Sequence, residues 1–206
     1  MRSKLLKVAF LCLAAAPLVG TAVEPAIAET SLNVPAASYT VYSPHTQVIF
    51  GIRHLGLSTF YGTVGRVTGT LNFDPAQPEK SGLDVQIDMN SIATPVEELN
   101  NTLKSSVFHT DKFPTATFVS TRIVKTGPNT GSVTGNLTLA GVTKPVTLNV
   151  TFNGGRSMPL PLPGYRVGFD ATGTIRRSDF GLTHMIWSGF VSDEVNLIID
   201  CEMARK

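Results

Sequence analysis

The sequence predicts an all-β fold, an antiparallel up-and-down barrel of about eight strands with one short helix inserted between them. Three observations carry this. Several stretches alternate between apolar and polar residues, the period of a strand with one buried face. In "LDVQIDMN", Leu83, Val85, Ile87 and Met89 share one face, and Asp84, Gln86, Asp88 and Asn90 the other. Turn chemistry separates the stretches, at Gly56, Asp74-Pro75, Gly127-Pro128-Asn129, Gly141, Gly154-Gly155 and Gly164. A single segment, "TPVEELNNTLKSS", has helical spacing instead. A sheet of this size removes its edges by closing. Eight strands then enclose an interior that side chains fill or that holds one slender ligand. A β-sandwich has the same alternation and is the structural alternative.

Residues 1–28 read as a secretory signal peptide. Arg2, Lys4 and Lys7 precede an apolar run from Leu5 to Val19, and Ala26-Ile27-Ala28 offers a small-x-small cleavage site. The run is too short for a comfortable membrane span, so no stable membrane insertion is expected. The expected route is secretion through this segment. The chain has 17 basic and 15 acidic residues, and removing Arg2, Lys4, Lys7 and Glu24 leaves 14 of each. A neutral mature chain gives no support for nucleic-acid binding. Only Cys201 remains after cleavage, which excludes an intrachain disulfide and a CxxC metal site.

Residues 29–38 read as a flexible lead-in, and 39–206 as one domain. "YTVY" at 39–42 is a short extra strand. Weaker alternation marks strands at 47–54, 61–73, 115–125 and 131–139. The pattern is clean again in "PVTLNVTF", with Val146, Leu148, Val150 and Phe152 on one face. It recurs in "YRVGFDATGTI" and "VNLIIDCEM". Gly62, Gly65, Gly69, Gly135 and Gly173 sit inside strand patterns, where glycine marks bulges or tight bends. The helix is expected over about 95–105, with Thr94 as N-cap, Pro95 at the first helical position and Glu97 completing a capping box. Val96, Leu99 and Leu103 share its apolar face. "MPLPLPGY" at 158–165 reads as a loop against an edge.

Enzymatic signatures are missing. No Gly-x-Ser-x-Gly occurs, and Asp179-Phe180-Gly181 lacks the glycine-rich and catalytic loops of a kinase. The expected class is a non-enzyme without cofactor, with Arg177 and Asp179 organising a strand-end turn. His54 ends the face begun by Phe50 and Ile52. It is either a partly buried histidine satisfied by a neighbour or a polar group facing a ligand. Val67, Leu71, Val85, Ile87, Met89, Leu137, Leu139, Leu148, Val167 and Phe169 form the inward apolar set, which periodicity alone reads as a filled core. Phe108, Phe113 and Phe118 follow the helix and either line the interior beside Leu99 and Leu103 or pack the helix onto the barrel. Trp187, between two strands, suits local packing, a channel mouth or a dimer contact.

Seven motifs in order extend these readings. "HTQVIFGIRHLGLSTFYG" (45–62) and "GTLNFDP" (69–75) come first, then "IDMNSIAT" (87–94) and "KFPTATFVST" (112–121). "GNLTLAGVTKPVTLNVTF" (135–152), "GFDATGTIRRSDFG" (168–181) and "VSDEVNLII" (191–199) follow. Together the chain resembles the YceI-like family of lipocalin-like, polyisoprenoid-binding periplasmic proteins. The resemblance implies an extended lipocalin-like barrel with an apolar channel, and as partner a long-chain isoprenoid or fatty ligand. The expected cargo is an isoprenoid quinone, a polyprenyl lipid, a fatty acid or a fatty amide. The expected lining is Phe50, Ile52, His54, Val67, Leu71, Val85, Ile87, Met89, Leu99, Leu103, Phe108, Phe118, Leu137, Leu139, Phe169 and Trp187. A homodimer is an arrangement the family includes. Against the family pattern, Asn100-Asn101-Thr102-Leu103 replaces a basic-acidic-x-His-Leu run, Val107 a frequent aspartate and Ala140 a polar residue.

Overall fold

The computed structural model describes residues 32–159, 161, 164–183 and 189–206, so the signal-peptide segment and Trp187 lie outside the described residues. The strands are β1 (Ala37–Val41), β2 (Gln47–His54), β3 (Ser58–Val64), β4 (Val67–Phe73), β5 (Gly82–Asp88) and β6 (Ile92–Ala93). After the helical segment come β7 (Thr115–Lys125), β8 (Thr130–Leu139), β9 (Val142–Ser157), β10 (Tyr165–Arg176) and β11 (Val191–Arg205). Their pairings are antiparallel, and β1 pairs with both β4 and β11, which closes the sheet.

The first six segments are three long strands, each broken once. One edge of β11 carries β10, while the other carries β1 near Met203 and β2 from Val191 to Asp200. So β1–β2, β3–β4 and β5–β6 each act as one stave, and the ring has eight. The first break, Ser43–His45, contains Pro44, which has no N–H for the ladder. Buried Thr46 repairs it: its hydroxyl accepts from the Glu202 N–H at 3.3 Å and lies 3.1 Å from the Tyr42 carbonyl, to which it donates. At the second break, Ser91 Oγ accepts from the Gly65 and Arg66 N–H groups at 3.2 and 3.1 Å. It donates to the Asp88 carbonyl at 2.6 Å. These side chains stand in for ladder bonds that bending removes.

Several boundaries differ from the sequence reading. The expected extra strand at 39–42 is β1, the strand that closes the barrel. It begins inside the segment read as a lead-in, where Val34 is also buried, so ordered packing starts earlier than composition suggests. The expected strand at 61–73 divides at Gly65 and Arg66. Of the strand glycines, Gly62 and Gly135 mark crowding instead of bulges. A Cβ on Gly62 would lie 2.2 Å from the Phe50 ring, and one on Gly135 2.4 Å from the Phe118 ring. The register shifts fall elsewhere, at Ser120/Arg122, Gly168/Phe169 and Val191/Val195.

The helix is shorter than expected. α1 spans Glu97–Thr102 and passes into a π-helical turn, Leu103–Val107. Val96 is the N-cap, so Pro95 precedes the helix and the predicted capping box does not form. Asn100 takes the place of Glu97 in closing back on Thr94. Its Oδ1 accepts from the Thr94 N–H at 2.6 Å and from the Thr94 hydroxyl at 2.8 Å. Its Nδ2 donates to the Thr94 carbonyl and to Glu97, each at 3.2 Å. Burial of this amide is tolerable because both of its ends are satisfied.

Two apolar clusters fill the ends. One gathers Val64, Met89, Ile92, Leu103, Ala116, Phe180 and Leu182 where the helix sits. The other gathers Val34, Tyr39, Val41, Val67, Leu71, Val167 and Met203 where β1 closes the ring.

Candidate functional site

Residues of these clusters line two adjoining cavities in the barrel interior. The one at the β1 end has a volume of about 610 Å³, and the one at the helix end about 710 Å³. Val48, Ile87, Leu137 and Leu197 line both. The inward set therefore does not meet in the middle, and the filled core that periodicity alone suggests is replaced by space.

Each chamber is built by alternation. In β2, Val48, Phe50, Ile52 and His54 all line the helix-end chamber. In β5, Leu83, Val85 and Ile87 line the β1-end chamber, as do Val67 and Leu71 of β4. Phe118 and Phe169 join them there. Met89, Leu99, Leu103, Phe108, Leu137 and Leu139 line the helix-end chamber. Leu148 lines the β1-end chamber, whereas Val167, 1% exposed, belongs to the packed plug. Phe113 lines neither chamber; its ring lies against Gly141 in the β8–β9 turn.

Aromatic rings crowd the β1 end. Phe73, Phe152 and Phe169 pack with centroids 5.0–5.5 Å apart, in tilted and edge-to-face pairs. Tyr39, fully buried, adds an edge contact to Phe73 and donates its hydroxyl to the Pro35 carbonyl at 2.7 Å. Burial pushes its phenol pKa up. Cys201 also faces this chamber, and burial raises its thiol pKa although the Thr46 hydroxyl opposes the shift. Phe73, Phe152 and Cys201 were absent from the expected lining, yet the alternation that placed Leu71, Val150 and Ile199 reaches them too.

The helix end differs in its polar groups. His54 is exposed at the rim, and its side chain makes no hydrogen bond among the described residues. The partly buried, satisfied histidine is thus not what the chain adopts. Ser58 and Arg177 line the same chamber. Arg177 opens a 3-10 turn, Arg177–Phe180, that Gly181 ends in the left-handed region at φ 73°. Phe180 is buried in the helix-end cluster, while Leu182 and Arg177 line the chamber. Asp179 does not organise the turn: Asp179 is exposed and unbonded among the described residues. Asp193 does, accepting from the Ser178 N–H at 2.9 Å and from its hydroxyl at 2.7 Å. These bonds, with the Ser178 hydroxyl foremost, hold the Asp193 carboxyl below its usual pKa. The mouth is apolar: Leu55, Leu57 and Phe190 are exposed around it, and the Leu55 N–H donates to the Phe190 carbonyl at 2.7 Å.

Comparison with known proteins agrees with this architecture. The family model of the YceI-like domain matches residues 39–203. A UPF0312 protein of Pseudomonas savastanoi pv. phaseolicola is 42% identical over 175 residues, covering 83% of this chain and 88% of the relative. The crystal structure of Burkholderia cenocepacia BcnA superposes with a TM-score of 0.67 at 26% identity, covering 76% of this chain and 95% of that one. A polyisoprenoid binding domain from Saccharophagus degradans shares the fold, with a TM-score of 0.61 at 15% identity, covering 82% of this chain and 98% of that one. The chain belongs to the YceI-like family.

Proposed function

We propose that the protein is a non-catalytic carrier that shields the tail of a long apolar amphiphile inside the barrel. One observation carries this reading: two apolar chambers adjoin, with Val48, Ile87, Leu137 and Leu197 lining both, which suits a single extended chain. Each buried CH₂ contributes about 0.8 kcal/mol, so a long hydrocarbon binds tightly with no charge complementarity. The polyisoprenoid binding of the Saccharophagus domain, on the same fold, supports this class of cargo. An isoprenoid quinone, a polyprenyl lipid, a fatty acid or a fatty amide fits. The amphiphile's head sits at the helix end, near His54, where the polar groups are. The helical segment 97–107 controls access, and cargo is released when that segment moves or a membrane competes for the tail. The working compartment is the periplasm, reached by cleavage of the 1–28 segment. Among the described residues no helix is long and apolar enough to cross a membrane.

The test is organic extraction of purified protein followed by mass spectrometry. A stoichiometric long-chain lipid is the expected result. Absence of lipid, together with no uptake of added polyprenols, quinones or fatty acids, overturns the carrier reading in favour of a scaffold working through protein contacts. Conversion of an added lipid points to an enzyme instead.

A further inference from the structure

Arg177 is a cation on the wall of an otherwise largely apolar chamber. A guanidinium offers five N–H donors in a fixed planar fork and no acceptor. Arg177 is half-buried, and a charge drawn partly out of water gains from a direct ion pair or a full set of hydrogen bonds. Among the described residues it has no ion pair and only two hydrogen bonds from its side chain. Its Nε donates to the Ser192 carbonyl at 3.1 Å and its Nη1 to the Leu182 carbonyl at 2.8 Å, and both acceptors are neutral. Nη2 makes no hydrogen bond among the described residues.

Among the described residues no nearby acid forms an ion pair with Arg177, although the charge of Asp193 lies near enough to feel it. The adjacent Arg176 pairs with Glu194 at 3.8 Å, and Asp193 is held by Ser178. The described ion pairs are His45–Glu202, Arg66–Asp88 and Arg176–Glu194, so none includes Arg177. The two carbonyl bonds fix the guanidinium plane while its other edge keeps donors to spare. A preorganised fork of this kind matches the two oxygens of a carboxylate or a phosphate.

We infer that Arg177 makes the helix-end chamber selective for cargo with an anionic oxygen head, a carboxylate or phosphate, whose tail runs toward the β1 end. This rests on the carrier reading and adds the head-group class to it. His54 and Ser58 line the same chamber and offer hydrogen bonds to the remaining head oxygens. Lys125 also lines a chamber, at the opposite end, but it is exposed. Water already solvates its ammonium, so an anion gains less there.

The experiment measures displacement of N-phenyl-1-naphthylamine, a neutral fluorescent probe, by matched ligands below their micelle concentrations. Oleate is compared with oleyl alcohol, and geranylgeranyl phosphate with geranylgeraniol. The anions should bind at least about tenfold tighter than their alcohols. The better of the two pairs tells carboxylate from phosphate. Arg177→Gln should erase the preference while alcohol binding stays, and Arg177→Lys should retain part of it. Lys125→Gln should change nothing. Equal binding of anion and alcohol by the unaltered protein overturns the assignment, as does a preference that survives Arg177→Gln or vanishes with Lys125→Gln. Should Arg177→Gln fail to fold by circular dichroism, the unaltered pair and Arg177→Lys decide. Binding of none of the four compounds is a different failure, that of the carrier reading itself.

Discussion

At the β1 end, Tyr39 and Val167 are buried almost completely, and Phe73, Phe152 and Phe169 stack beneath them. At the helix end, Arg177 and exposed His54 look onto a chamber of similar size, beside a helix of six residues. Both ends line a cavity and both carry a packed apolar cluster, but only the second also presents a guanidinium to its chamber. Aromatic rings satisfy one another and need no ligand. A guanidinium held by two neutral carbonyls keeps donors to spare. The first end is therefore specified by shape, whereas the second carries the polar chemistry on which the proposed head-group contact rests.

Four measurements break or sharpen that contrast. The largest effect is expected at the plug: Tyr39→Ala should cost about 3–5 kcal/mol in urea unfolding, the range for emptying a buried aromatic site. A loss below about 1 kcal/mol would mean that this end is not a stabilising plug. Asn100→Ala comes next, at about 1–3 kcal/mol, since it orphans the Thr94 groups that Asn100 satisfies. Its second signature is faster amide exchange over 97–107 with β1 unchanged. Equal acceleration at both ends would show that the helix is not an independently opening element.

Cys201 reports on occupancy. Its raised pKa keeps the thiol protonated near neutrality, so alkylation should lag behind a free thiol and keep rising with pH after the free thiol levels off. A long-chain cargo should slow it further. Alkylation indifferent to added lipid would mean that cargo does not reach the β1-end chamber. The smallest effect is Asp193→Asn, at most about 1 kcal/mol because the carboxylate is well solvated. Its folded pKa is depressed, so its contribution is present above the unfolded value and lost as pH falls through the folded one. Parent and variant should differ near neutrality and converge in strong acid. A gap that persists in acid would assign the role of Asp193 to shape instead of charge.

The strand faces were legible in the sequence because side chains alternate with an exact period of two. Leu83, Val85 and Ile87 must share a side whatever the strand pairs with. The same rule places Cys201 on the face of Leu197 and Ile199, and Phe73 two residues beyond Leu71. Arg177 was legible only in part: it continues the inward parity of Phe169, Ala171 and Ile175, but its carbonyl partners Leu182 and Ser192 come from the fold. Asn100 was not legible, since T-P-V-E satisfies the capping pattern as text while the fold uses an amide further along.

By itself, then, the sequence determined the class of fold, the inward face of each long strand and the presence of one short helical insertion. These follow from local periodicity and turn chemistry. Tertiary structure alone decided that β1 closes the ring, that the strands bend where Thr46 and Ser91 replace ladder bonds, and that the inward side chains leave space. Alternation tells which way a side chain points. Whether opposing side chains meet depends on the circumference of the closed sheet, which no single strand contains.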